Sequence, residues 1–313
     1  MESSASLLHA RAGEAPPYPP MMVNRPPMAI RRTLKAVVLN AHGGLHLDGI
    51  LRCLRRSPLK DADVILLCEA DFRMRRSQRR EVAAEMAAAL GMSMVYQPEF
   101  GVSRESGAPI SFIGNSILCS QPLSEVSSIP LPGLKLKRRM RWLVGCPCGV
   151  SATAVFNGRR ITIGVAHLNS RWNPEGRARQ MAHYLAAIPD AAAVLIGGDF
   201  NTTTVDLRDR RALLHTARRM IMNPRRFHHP ESYEPLFEHL SEAGFEIDGA
   251  NALGRPTFTF ARALPPWLRP KLDWIALKGL NAVGGSARVV AARPSFVSRR
   301  LSDHDFLVCE AKL

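Results

Sequence analysis

Five times along this 313-residue chain, a short apolar and mostly β-branched run stops at an acid, an amide or an imidazole. The run-ends are Leu39-Asn40, Cys68-Glu69, Ala166-His167-Leu168-Asn169, Gly197-Gly198-Asp199-Phe200-Asn201 and Ser302-Asp303-His304. Runs of this length, bounded by turn residues, read as buried strands. A sheet that orders such strands delivers their polar ends to one edge. Because these ends are spread from the start of the chain to its finish, they meet only if most of the chain folds as one unit, which excludes a split into independent domains.

The most informative run is Ala193 to Asn201, which halts at two glycines and then presents a carboxylate and a carboxamide. Glycine there permits backbone angles and close approaches that other residues resist. Taken alone, the same residues also describe a βα turn in which Asp199 or Asn201 caps a following helix. Glu69 alone reads as a solvated loop acid, His167 as a satisfied core histidine, and Ser302 to Asp305 as a polar turn before a last strand. It is their recurrence at the ends of similar runs that favours an active site.

In order, spacing and flanking runs, these segments resemble the endonuclease/exonuclease/phosphatase superfamily, from about residue 34 to the C-terminus. That group includes DNase I-like nucleases, abasic-site endonucleases, neutral sphingomyelinases, inositol-polyphosphate phosphatases and poly(A) deadenylases. The resemblance implies a DNase I-like α/β fold: a four-layer sandwich of two packed, mainly antiparallel β-sheets flanked by helices. It also implies a Mg²⁺ centre, with Mn²⁺ as a substitute, at which Glu69 is a direct ligand and Asn40 and Asp303 lie close by. Asp199 is then the residue that orients or deprotonates the attacking water, and Asn201 holds a phosphate oxygen. His304 is placed on the scissile phosphate, with Asp273 of Lys271-Leu272-Asp273-Trp274-Ile275 as its carboxylate partner. His167 matches a phosphate-binding histidine where abasic-site endonucleases usually carry tyrosine. Asn115, in Gly114-Asn115-Ser116, and Asn169 are assigned to substrate binding.

The chemistry explains these residue types. A phosphodiester is anionic and repels nucleophiles, so its hydrolysis needs charge neutralisation, a positioned water and help for the leaving oxygen. Mg²⁺ prefers hard oxygen ligands and keeps several waters, so one or two carboxylates suffice to hold it. A histidine braced by a carboxylate has its charged form favoured and donates to phosphate oxygens. No Ser-His-Asp order or nucleophile elbow is needed for this chemistry, so a covalent intermediate is not expected.

Composition sets the frame. At 46% hydrophobic residues, with no apolar stretch of membrane-spanning length, the chain is expected to bury one sizeable core and to be soluble. Residues 1–33 carry Pro16-Pro17, Pro19-Pro20 and Pro26-Pro27 and read as a flexible tail ahead of a catalytic domain at 34–313. Glu2 and an apolar patch broken by His9, Arg11 and Glu14 do not make a secretory signal. The six scattered cysteines form no zinc or disulfide pattern, and a cytoplasmic location is expected.

Periodicity adds strands at Thr33 to Asn40, Ala62 to Glu69, Ser111 to Cys119 and Phe306 to Glu310, and a hairpin of Gly149 to Phe156 with Arg160 to Ala166 about Asn157-Gly158. Helices are expected at Leu47 to Arg56, Gln78 to Leu90 and Gly176 to Ile188. Forty-two basic against 27 acidic residues leave a net charge of +15, concentrated in runs at 73–80, 135–141 and 208–226. Such a field steers polyanions. The leading expectation is therefore a Mg²⁺-dependent phosphodiesterase or nuclease with DNA or RNA as substrate. The alternative is a phospholipid or small phosphoester hydrolase drawn to an anionic lipid surface, for which Leu264-Pro265-Pro266-Trp267-Leu268 is the candidate interfacial loop.

Overall fold

A computed structural model of the chain describes residues 18–29, 31–102, 111–133, 143–204, 218, 222–259, 269–293 and 300–313. Nine strands form a first sheet: β1 (Met21–Val23), β2 (Thr33–Asn40), β3 (Val64–Phe72), β4 (Ser93–Val102), β5 (Phe112–Cys119), β7 (Leu143–Gly145), β12 (Asn281–Ala282), β13 (Arg288–Val290) and β14 (Phe306–Lys312). Five form a second: β6 (Ser124–Pro130), β8 (Cys148–Phe156), β9 (Arg159–Val165), β10 (Val194–Asp199) and β11 (Asp273–Lys278). The first runs β1-β4-β5-β3-β2-β14-β12, with β13 beside β14 and β7 beside β4; the second runs β11-β10-β9-β8-β6. Among the described strands, only β2 with β3 and β9 with β10 are parallel. β2 and β14 pair directly, which joins the two ends of the chain in one sheet.

Apolar runs without polar alternation form these strands because both faces are covered. Leu34, Ala36 and Val38 of β2 point between the sheets and meet Val150, Ile163, Leu195 and Ile275. Their neighbours Val37 and Leu39 face outward onto α1 (Leu47–Leu54) and α2 (Val82–Leu90). On the far side, Val194, Ile196 and Trp274 face α3 (Pro174–Ala187) and α5 (Leu236–Glu242). The side-chain period of two thus builds four layers, helix on sheet on sheet on helix. This is the expected sandwich.

Several boundaries differ from expectation. β3 continues past Glu69 to Phe72, and α2 begins at Val82 rather than Gln78. Gln78 and Arg79 both adopt positive φ, 58° and 59°, which no helix interior accommodates; a 3-10 turn at Arg75–Ser77 precedes them. Residues 18–29 are not a free tail. β1 pairs with β4, Asn24 exchanges hydrogen bonds with the backbone of Leu123, and the Met28 amide donates to Ser120. Proline removes amide donors but leaves carbonyls and flanking residues able to dock on a sheet edge.

Within the basic excursion the described part holds a short α4 (Arg225–His228), a 3-10 turn at Pro230–Ser232 and α5. α5 packs on α3, and the fully buried pair of Arg177 and Glu234 fastens the segment. Glu234 also accepts from the Thr204 amide at 2.7 Å. The basic run at 135–141, most of that at 208–219 and the Leu264–Leu268 loop lie outside the described residues.

Candidate active site

The strand ends converge where the two sheets meet. β2, β3 and the turn before β14 bring Asn40, Glu69, Asp303 and His304; the ends of β9 and β10 and the start of β11 bring His167, Asp199 and Asp273. Close sheet packing at this end requires glycine. A Cβ on Gly197 would sit 2.7 Å from the Trp274 carbonyl and 3.0 Å from Leu66 and Val38 side chains, while Gly198, at φ +141°, abuts the Ala166 carbonyl. Glu69 arrives by a different device. The register of β3 against β5 shifts between Leu67 and Ala70, and Glu69 takes φ 52°, a bulge that turns its carboxylate into the cleft.

Asp199 is the hub. Its Oδ2 accepts from Asn40 Nδ2 at 3.0 Å and lies 3.6 Å from His304 Nε2 and 3.7 Å from His167 Nε2. Its Oδ1 accepts from the Asn201 amide at 3.0 Å. Burial pushes the Asp199 carboxyl upward, as does the charge of Asp273, against the opposing pull of His304, His167 and Asn40. His304 Nδ1 is 2.8 Å from Asp273 Oδ2. Burial disfavours a charged ring, yet the carboxylates of Asp273, Asp199 and Asp303 prevail and push His304 up to about 10. The charged, imidazolium form is thereby favoured.

The surrounding backbone locks these groups. Ser302 Oγ donates to the Asn40 carbonyl at 2.7 Å and accepts from the His304 amide at 3.0 Å. Thr257 Oγ1 accepts from the Leu272 and Asp273 amides, and the Phe258 ring lies edge-on to His304.

Among the described residues, Asp199, Asp273 and His304 have ligand atoms within 4.8 Å of one another, close enough to share a metal ion. A protonated imidazole has no lone pair for a metal, however, and its Nδ1 is committed to Asp273. Glu69 suits a hard cation better. It is 28% exposed, spends Oε1 on Asn40 Nδ2 at 3.1 Å, and leaves Oε2 without a partner among the described residues.

The other expected site residues are each held by contacts of their own. Asn40 acts as a bracket between Glu69 and Asp199, its own oxygen accepting from the His42 amide. Asp303 pairs with His42 Nδ1 at 2.8 Å; burial would raise its pKa, but the His42 hydrogen bond and the nearby imidazoles hold it below the usual carboxylate range. Asn201 turns its Nδ2 to the Leu168 carbonyl, leaving one amide hydrogen for an anion. Asn115 is fully buried, donates to the Cys148 carbonyl at 2.9 Å, and stands beside Glu99. Asn169 stays at the rim, its oxygen closing a turn with the Arg171 amide.

Two further residues of the cleft have no signature in the sequence. His42 bridges toward Asp303, and Glu99 places Oε2 3.9 Å from His167 Nδ1 while Oε1 accepts from the Cys148 amide. Glu99 is carried inward by a second bulge, between Pro98 and Phe100 of β4. Burial pushes its carboxyl up to about 7. It lies in an ordinary stretch of strand with no glycine or polar cluster to flag it.

The model of the endonuclease/exonuclease/phosphatase family matches residues 37–304. No curated protein matches the sequence significantly. Among solved structures, an endonuclease/exonuclease/phosphatase from Beutenbergia cavernae is similar at TM-score 0.60 and 17% identity, over 90% of this chain and 72% of that one. D. rerio TDP2 complexed with single strand DNA product is similar at TM-score 0.53 and 17% identity, over 90% and 100% of the two chains. Sphingomyelinase C from Streptomyces griseocarneus gives TM-score 0.52 and 15% identity, over 90% and 99%. At these identities the structures share the fold. The family match, spanning the strand ends gathered in this cleft from β2 to His304, shows that the chain belongs to the endonuclease/exonuclease/phosphatase family, whose members are hydrolases acting on phosphoester bonds.

Proposed function

We propose that the protein is a metal-dependent phosphodiesterase acting on DNA or RNA by direct attack of water. The observation that carries this reading is the Asp273–His304–Asp199 relay, a carboxylate-braced imidazolium facing a second, fixed carboxylate in a cleft that also holds Glu69. His304 donates from Nε2 to a phosphate oxygen and gains strength as negative charge builds there. Asp199, held by Asn40 and Asn201, orients a water and takes its proton. His167, backed by Glu99, faces the same centre from the second sheet. Glu69 would hold the cation, for which Mg²⁺ is assigned with Mn²⁺ as substitute. When bound, it supplies charge neutralisation to the phosphate.

The net charge of +15 favours a polyanionic substrate such as nucleic acid. The test is hydrolysis by purified protein of single-stranded DNA, supercoiled plasmid, abasic duplex, RNA, sphingomyelin and inositol phosphates, each with Mg²⁺ and with EDTA. Asp199→Ala and His304→Ala are expected to lower kcat by about 10³-fold or more, in line with the loss of an acid-base or charge-stabilising group. Turnover that survives EDTA and both substitutions contradicts the mechanism, and turnover of the lipids alone contradicts the substrate.

A further inference from the structure

The arginine-rich turn after β3 contains one guanidinium that differs from its neighbours. Arg73 and Arg80 are neutralised by Glu81, and by Asp48 and Glu85, respectively. Arg76 instead reaches back to Asp71, donating from Nε to Oδ2 and from Nη2 to Oδ1, each at 2.8 Å. The Asp71 side chain is completely buried, whereas that of Arg76 is 44% exposed. A two-point pair with a buried carboxylate fixes the plane of the guanidinium. With 44% of the side chain exposed, its Nη1 has no partner among the described residues.

The pair borders the turn that carries His42 toward the cleft. The pair lies on the Gly43 backbone, where a Cβ would come within 3.0 Å of Arg76 and 2.9 Å of Asp71, and Gly43 directly follows His42. The Glu69 carboxylate is near enough to favour the charged guanidinium, and the guanidinium in turn opposes protonation of His42. The adjoining residues Gly44 and Ser77 line a cavity of about 290 Å³ together with His46, Gln78 and Arg52.

We propose that Arg76, fixed by Asp71, binds a second phosphate of the substrate next to the one attacked, so that the site selects a chain of phosphodiesters over an ester with a single phosphate. This rests on the phosphodiesterase reading of the neighbouring cleft and adds a subsite to it. One charge-assisted hydrogen bond of this kind contributes enough for about a tenfold change in affinity.

The experiment is fluorescence-anisotropy binding of a labelled single-stranded octanucleotide in EDTA, over a salt series. The proteins compared are the wild type, Arg76→Gln, the neutral pair Asp71→Asn/Arg76→Gln and Lys312→Gln, with thermal melts run alongside. The double substitution keeps two polar partners in contact should the single one leave Asp71 stranded and unfold the chain. Lys312→Gln removes the same charge at the opposite end of the sheet, where β14 pairs with the start of β2. Arg76→Gln or the folded double variant is expected to bind about tenfold more weakly, with a salt slope reduced by about one, and Lys312→Gln is expected to do neither. Equal affinities for the Arg76 and Lys312 variants, or no binding by the wild type, overturn the subsite. Cleavage of the same oligonucleotide by the wild type with Mg²⁺ is scored separately: Arg76-dependent binding without cleavage leaves the subsite standing and defeats the nuclease reading, whereas cleavage with Arg76-independent binding does the reverse.

Discussion

Glu99 shows what a single buried acid does to this cleft. Its carboxyl, enclosed by the Cys148 amide, Asn115, His167 and the more distant Glu69, is pushed by burial from an ordinary 4.5 to about 7. A carboxyl whose folded pKa lies above its unfolded value favours folding most below the unfolded value, and that contribution is lost as pH rises through the folded one. Wild-type unfolding free energy is therefore expected to fall between pH 4 and pH 8 by about 3 kcal/mol relative to Glu99→Gln, the equivalent of a shift of this size. Urea unfolding at closely spaced pH values measures it; parallel profiles for the two proteins would contradict the assignment. The residues that the sequence exposed most readily, Asp199, Glu69 and His304, end apolar runs, because a strand that stops at a polar group leaves a visible edge in the pattern. Glu99 and His42 were not legible. One enters through a bulge inside a strand, and the other through a turn whose positive φ of 49° has no sequence marker besides the two glycines that follow it.

At the scale of elements, the cleft depends on places where regular structure is broken. β3 and β4 each carry an acid inward on a bulge, and β10 must pass so close to the end of β9 that only glycine fits. A Cβ at position 198 would lie 2.1 Å from the Ala166 carbonyl, a backbone atom that the parallel pairing of β9 and β10 holds in place. Gly198→Ala is expected to destabilise the fold by about 2–4 kcal/mol, combining overpacking with an unfavourable backbone angle, and to lower kcat by moving Asp199. Chemical denaturation and steady-state kinetics on the same preparation test this; a change below about 0.5 kcal/mol would show that the strands can part, since only substitutions free of such clashes stay that small. Strand positions were largely legible because two-sided burial writes itself as continuous apolar runs, and β2 has the bounds expected of it. Helix starts were less so. The 3-10 turn before α2 has a helix-like composition, and only the left-handed Gln78 and Arg79 reveal why α2 cannot begin there.

Across the whole molecule, the cleft lies on the seam between two sheets, so anything that steadies the first sheet steadies Glu69 and Glu99 relative to Asp199. The segment at 18–29 does so from the outer edge. β1 covers β4 at Met94, Val95 and Tyr96, the Gln97 side chain donates to the Tyr18 carbonyl, and the Arg25 amide donates to Ser93 Oγ. These contacts end within three residues of the Glu99 bulge. Its proline content obscured this role, because a segment that cannot form a helix still pairs as an edge strand, where few amide donors are required. Without it, β4 becomes an edge whose backbone groups turn to water and whose bulge has strand pairing on one side only near Tyr96. Removal of residues 1–29 is expected to lower Tm by about 5 °C or more, as 2–3 kcal/mol does in a domain of this size, and to lower kcat together with it. Differential scanning calorimetry and turnover of the truncated protein measure both. An unchanged Tm would mean that β4 holds its bulge unaided, and an unchanged kcat beside a lowered Tm would mean that the edge serves stability alone.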